Sequence, residues 1–213
     1  MCAIRVSLRG QSGAGHARFC SANHDTVDYG SVQSMHKCDD YWRKVRMSKS
    51  EEYLKEAFAG ESQANRTYLA FATAADDEGH PQVARLFRAA AEAETVHALN
   101  HLRALKAVKS TKENLQEAVS GETHEFTHMY PKMIEAAKAE GHREARQSFD
   151  YANAVEKIHA KLYKDALEGL GTEMESHSYS YYVCPVCGFT AEVDAPSTCP
   201  ICGTPGRMFK KID

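Results

Sequence analysis

The sequence predicts a mainly α protein: a four-helix bundle followed by a small cysteine-rich domain. Three observations carry that prediction. Apolar residues recur at spacings of three and four from residue 48 to about 168, the period of helices with one buried face. Two Glu-x-x-His motifs, Glu94 with His97 and Glu156 with His159, are each preceded by a lone Glu at nearly the same distance. Glu61 lies 33 residues before Glu94, and Glu122 lies 34 before Glu156. Finally, four of the seven cysteines and four of the six prolines lie beyond residue 182, where the composition changes.

The bulk numbers set limits. With 43% hydrophobic and 26% charged residues in 213, the chain can bury a core and stay in solution. A net charge of -3 gives no basic patch for nucleic acid. No run of 18 apolar residues exists, so no membrane span is expected. Cysteines paired as Cys-x-x-Cys point to metal rather than disulfides, hence to a reducing compartment such as the cytoplasm.

Residues 1–46 show no helical period, and Gly10, Gly13 and Gly15 argue against regular structure. The first 24 residues hold Arg5, Arg9 and Arg18 and no acidic residue. This fits a transit-peptide composition, an unstructured tail, or a start codon upstream of a true start at Met47. Cys2, Cys20 and Cys38 are too widely spaced for a compact metal motif.

The bundle is expected over 47–169. The first helix starts near Ser48, where Glu51 completes a capping box, and stops near Gly79. Its stripe of Leu54, Ala57, Phe58, Glu61, Ala64, Tyr68 and Phe71 includes a carboxylate, which is costly on a buried face unless paired or metal-bound. The second helix, from Pro81 to about 107, is alanine-rich and lets neighbours approach closely. Ser110 and Glu113 cap a third helix, which runs to Gly141 across Pro131. The fourth runs from about 142 to 168 and is stopped by Gly169 and Gly171. Short connections make sequential helices antiparallel neighbours. The link between the second and third helices is too short to cross a bundle lengthwise. A crossover then needs a helix exchanged between subunits, or different helix boundaries. Residues 170–181 are a linker, and 182–213 form the second domain.

The helical part reads as one hairpin used twice. Gly60-Glu61 leads to Tyr68, and Gly121-Glu122 leads to Tyr130. A glycine before each lone Glu suggests close backbone approach there. Glu61 to Tyr68 is seven residues but Glu122 to Tyr130 is eight. The extra residue predicts a π-bulge, with Pro131 placed where the hydrogen-bond ladder is already broken.

Glutamates and histidines three apart share one helix face. A Glu from each of two helices and a Glu-x-x-His from each of the other two is a known dinuclear ligand set. Glu61, Glu94, His97, Glu122, Glu125, Glu156 and His159 are therefore expected to converge, with Glu94 and Glu156 bridging. Carboxylates with imidazole suit iron or manganese, and also zinc. Cys184, Cys187, Cys199 and Cys202 form two matched knuckles, a tetrahedral S4 site for zinc or iron. Gly188 and Gly203 are expected to aim backbone N–H groups at sulfur.

At the segments Gly60-Glu61-Ser62-Gln63-Ala64-Asn65, Ala91-Glu92-Ala93-Glu94-Thr95-Val96-His97 and Gly121-Glu122-Thr123-His124-Glu125-Phe126, the sequence resembles the rubrerythrin family, over about 48–213. The resemblance implies a ferritin-like di-iron bundle with a rubredoxin-like Fe(Cys)4 domain, and a peroxidase reducing hydrogen peroxide. It implies a reduced rubredoxin or a reductase as donor, a homodimer or higher homo-oligomer, and a small domain that serves a partner's site. It also implies a redox switch in which one iron exchanges Glu125 for His97, and places Tyr68 and Tyr130 near the irons. A ferritin-like iron-oxidising and storage protein is the alternative.

Overall fold

The computed structural model describes residues 48–172 and 178–213. The expectations for residues 1–46, and for the middle of the linker, lie outside the described residues. Helix α1 spans Lys49–Asp77 and α2 spans Pro81–Ala104. Between them Gly79 takes a left-handed φ of 80°, and the His80 N–H donates to the Ala75 carbonyl at 2.7 Å, ending α1. Pro81, which has no N–H to lose, opens α2. The two helices meet along an alanine seam: Ala72, Ala75 and Ala84 are buried together, with Phe87 packed against them. Asn65 on α1 spans the seam, its amide donating to the Ala91 carbonyl at 2.6 Å and to Thr95 Oγ1 at 2.9 Å.

Helix α2 ends three residues before the expected 107. No glycine marks the stop. Lys106 itself adopts a left-handed φ of 52°, an unusual place for lysine, so the sequence carries no sign of it. Helix α3, Thr111–His124, starts at the expected box: Ser110 Oγ accepts from the Glu113 N–H, and Glu113 accepts from the Ser110 N–H. A π-helical segment, Glu125–Met129, then joins α3 to α4, Tyr130–Glu140, and the Tyr130 N–H reaches back five residues to the Glu125 carbonyl. Pro131 follows directly, in the first turn of α4. Gly141, with φ 69°, ends α4, and α5 runs Arg143–Gly169. Helices α3 and α4 both pack along α5, burying Ile134, Ala137, Val155 and Ala160.

All four helices of the predicted bundle are present, as two hairpins. Antiparallel packing of neighbours holds inside each hairpin. Helix α2 finds hydrogen-bond, ion-pair and ring partners on α1: Asn65 to Ala91 and Thr95, Asp76 to Arg88, and Tyr68 to Phe87. The helical period fixes which face of a helix is apolar, not which partner covers it. Large apolar side chains of the first hairpin consequently stay exposed, Leu86 at 66% and Phe71 at 47%. No described helix is long and apolar enough to cross a membrane.

In the small domain, β1 (Tyr181–Val183) is the central strand of an antiparallel sheet, flanked by β2 (Thr190–Glu192) and β3 (Lys210–Ile212). Phe189 and Phe209 meet edge to face at 6.2 Å, a minimal core. The domain rests on α5 through β2.

Candidate metal centre

Each hairpin assembles its own triad. In the first, His97 Nδ1 lies 2.9 Å from Glu94 Oε2 and 3.9 Å from Glu61 Oε1. In the second, His159 Nδ1 lies 2.7 Å from Glu156 Oε2, with Glu122 completing the group. Within each triad one ligand atom per residue falls within 4.8 Å of the others, close enough for one cation. The i, i+3 spacing on an uninterrupted helix places each Glu-His pair on one face.

Glu61, Glu94 and His97 form one group, and Glu122, Glu156 and His159 form another. Glu61 and Glu94 both face His97 in the first hairpin. In the second hairpin Glu156 meets both Glu122 and His159, and His159 also meets Thr190 of the small domain. Glu125 stands beside Glu122, outside the triad but close enough to raise its pKa. The glycine expectation also changes. Among the described residues, a Cβ at Gly60 or Gly121 would meet nothing within 4 Å, so no backbone presses there.

The donor chemistry fits cations. Burial pushes the Glu122 carboxyl up to about 7, with further rises from its hydrogen bond to Glu156 and from the charges of Glu156 and Glu125. Carboxylates facing one another without a cation hold protons instead. His159 adds a second sign. Thr190 Oγ1 donates to the Gly188 carbonyl at 3.2 Å, which leaves it to accept from His159 Nε2 at 3.0 Å. The Nδ1 lone pair then faces a carboxylate oxygen, and a cation satisfies both.

Sequence reasoning missed Thr190. It lies 31 residues from His159 and in no motif, so only the packing of the small domain reveals it. The same packing puts Gly188 over α5: a Cβ there would sit 3.8 Å from Val155 Cγ1, next to Glu156.

The two tyrosines differ. Tyr130 has its hydroxyl pKa raised, first by burial and then by Glu125, Glu156 and Glu122, so it keeps its proton beside the second triad. Tyr68 packs its ring with Phe87 at 6.2 Å and Phe71 at 6.4 Å.

The four C-terminal cysteines are free thiols in one cluster. Cys184 and Cys202 sulfurs are 3.5 Å apart, as are those of Cys187 and Cys199. A tetrahedral site with metal–sulfur bonds of about 2.3 Å has edges of roughly 3.8 Å, so one ion fits with little movement. Burial raises the Cys184 thiol, but the Cys187 and Val186 N–H groups, with Cys202 and Thr204, outweigh it and bring it down to about 6. Cys187 is pushed upward by burial and by the neighbouring sulfurs. Gly188 and Gly203 are left-handed, with φ of 83° and 79°. Their N–H groups donate to the Cys184 and Cys199 carbonyls rather than to sulfur, closing each knuckle.

The family model "Rubrerythrin" matches residues 52–167, and "Rubrerythrin, rubredoxin-like domain" matches 182–210. The chain is 37% identical over 180 residues to Rubrerythrin-2 of Clostridium acetobutylicum, covering 78% of this chain and 98% of that one. It is 33% identical to the rubrerythrin of Porphyromonas gingivalis, over 84% of this chain and 98% of that one. It is also 33% identical to nigerythrin of Nitratidesulfovibrio vulgaris, over 78% and 88%.

Proposed function

The chain belongs to the rubrerythrin family, with a ferritin-like di-iron part and a rubredoxin-like four-cysteine domain, and on that premise we propose that it is a peroxidase. The reaction is H2O2 + 2 H+ + 2 e− → 2 H2O. The observation that carries this reading is the contact between a thiolate site and a carboxylate–imidazole site. Thr190, on the strand that follows the first knuckle, hydrogen-bonds the imidazole of His159. An electron-carrying domain so placed is useful to a reductive centre and superfluous to iron storage.

Glu61, Glu94 and His97 would hold one iron and Glu122, Glu156 and His159 the other, with Glu94 and Glu156 bridging. Cys184, Cys187, Cys199 and Cys202 would hold the third. When bound, the ferrous pair supplies two electrons and the Fe(Cys)4 site replaces them. His97, with 53% of its side chain exposed, is free to leave, and Glu125 stands next to Glu122, ready to enter. An added carboxylate offsets the added charge of the oxidised state. Tyr130 keeps its proton and offers a hydrogen bond at the second triad. A reduced rubredoxin or a reductase supplies electrons from outside, in a reducing compartment such as the cytoplasm that keeps the cysteines as thiols. The working units are 47–169 for the bundle, 170–181 for the linker and 182–213 for the electron carrier.

Anaerobic stopped-flow tests the reading. Fully reduced, iron-replete protein mixed with one equivalent of peroxide should be reoxidised faster than by dioxygen, leaving no peroxide. Peroxide left intact while dioxygen oxidises the protein would overturn it. His97→Ala should leave the oxidised centre formed and slow peroxide turnover; unchanged turnover would remove the Glu125 exchange.

A further inference from the structure

We propose that His124 and His128 form a surface binding site for a first-row divalent cation of the zinc and copper class, outside both triads and the four-cysteine cluster. The five residues His124-Glu125-Phe126-Thr127-His128 spell His-Glu-x-x-His, a pattern that sets two imidazoles about one turn apart on one side of a helix and can hold zinc. In a chain with 11 histidines the pattern alone is weak evidence. The geometry strengthens it. The two rings lie parallel, within 10°, with their centroids 5.4 Å apart. Both residues are exposed, so the pair stands side by side at the surface.

Thr127 prepares His128 for this role. Its hydroxyl has one proton, which it donates to the Thr123 carbonyl. Its oxygen, 2.6 Å from His128 Nδ1, is left to accept. Nδ1 therefore carries the ring proton, and in the neutral ring the lone pair sits on Nε2. A hydrogen bond to the other ring nitrogen is what orients most metal-bound histidines. The same device appears at His159, where a threonine hydroxyl takes one ring nitrogen and leaves the other to a cation. Among the described residues no hydrogen bond or ion pair engages His124, so its nitrogens are free to bind. Two nitrogens on one ion, at bonds of about 2.1 Å, lie roughly 3 Å apart. Rings whose centroids start 5.4 Å apart close that gap by tipping toward each other, a motion that exposed side chains make readily.

The donors select the ion. Two neutral imidazoles, with water in the remaining positions, suit zinc, copper and nickel, whereas magnesium and calcium want oxygen donors. The glutamate of the pattern is engaged elsewhere: the charge of Glu125 acts on Glu122 and Tyr130 and raises both pKa values. In hydrolases with this pattern the glutamate is the general base at the metal. Here it serves the second triad instead, so the histidine pair binds an ion without hydrolysing anything. His124 is the last residue of α3, and His128 lies inside the π segment. An ion held by both spans the junction between the two helical forms. The site does not depend on the di-iron reading.

Copper chelated by iminodiacetate tests this on the whole, iron-loaded, oxidised protein. The chelate keeps copper from the thiolates and leaves positions for two imidazoles. Electron paramagnetic resonance should show a bound copper carrying two imidazole nitrogens. His124→Ala and His128→Ala should each weaken binding on the order of tenfold or more, because a two-point attachment becomes a single one. Any copper still bound should then show one imidazole. Thr127→Val should weaken binding by about tenfold and Thr127→Ser should restore it, the behaviour of a partner that orients a metal-bound histidine. All three residues are exposed, so the variants should fold. Wild type that binds no more tightly than His124→Ala with His128→Ala, or that shows a single imidazole on copper, would overturn the site and leave the peroxidase reading standing. Protein that binds the copper chelate through two imidazoles but leaves peroxide intact would support the site and sink the peroxidase reading.

Discussion

The two hairpins carry the same ligand motif in different settings, and the difference shows what the motif alone leaves undecided. In the first, His97 is 53% exposed, and the carboxylates it meets, Glu94 and Glu61, both belong to its own hairpin. In the second, His159 is 28% exposed because β2 of the small domain lies over it and Thr190 takes its second nitrogen. The second also holds the π segment, and with it Glu125. One half is thus covered by the small domain, and the other is open. On the proposed function, the redox switch would sit on the open half, where His97 meets Glu94 and Glu61 of its own hairpin.

The largest test of the contrast removes the cover. Cys184→Ser with Cys199→Ser abolishes the metal held by the four cysteines, which in small domains contributes on the order of 10 kcal/mol of folding free energy. The visible absorption of the Fe(Cys)4 site should vanish. Amide exchange should rise across 178–213 while α3, α4 and α5 stay protected. Protection surviving in the small domain would mean that its contact with α5, not the metal, holds it together.

A smaller effect concerns Glu122 in metal-free protein. Its folded pKa, about 7, lies above the ordinary 4.5, so the folded state binds the proton more tightly. That stabilisation is fully present below pH 4.5 and is lost as pH rises through 7. Allowing for solvent screening at a partly exposed group, it amounts to about 1–2 kcal/mol. Chemical denaturation at several pH values should show this slope in wild type and a flatter one in Glu122→Gln. Equal slopes would place the raised group elsewhere.

Thr190→Val should slow reoxidation of the reduced Fe(Cys)4 site in a single turnover on the order of tenfold, the usual weight of a partner that orients a metal-bound histidine. Thr190→Ser should restore it, because only the hydroxyl is needed. In metal-free protein, the His159 Nε2 proton resonance should disappear in the valine variant and return in the serine one. If the resonance is lost and the rate is not, the bond orients the ring without serving the electron path.

How much of this was legible in the sequence follows the range of each interaction. The π segment was readable because one helix is a single residue longer between matched landmarks, Glu122 and Tyr130 against Glu61 and Tyr68. The four-cysteine cluster was readable because its ligands come in two local pairs. The caps at Ser110, Pro81 and Gly141 are local too. What escaped was long-range or unusual. Thr190 meets His159 only after the small domain docks, and the stop at Lys106 uses a conformation lysine rarely adopts.

The mildest test uses the glycines that precede each lone Glu. Mid-helix glycine costs about 0.5–1 kcal/mol relative to alanine through its extra freedom in the unfolded chain. A Cβ at Gly60 or at Gly121 has open space among the described residues. Gly60→Ala and Gly121→Ala should therefore each stabilise the protein by about that amount, read as a higher denaturation midpoint with an unchanged slope. The two gains should be equal if the hairpins are equivalent at this level. A gain at one and a loss at the other would show that only one of these faces is pressed by a neighbour in the assembly.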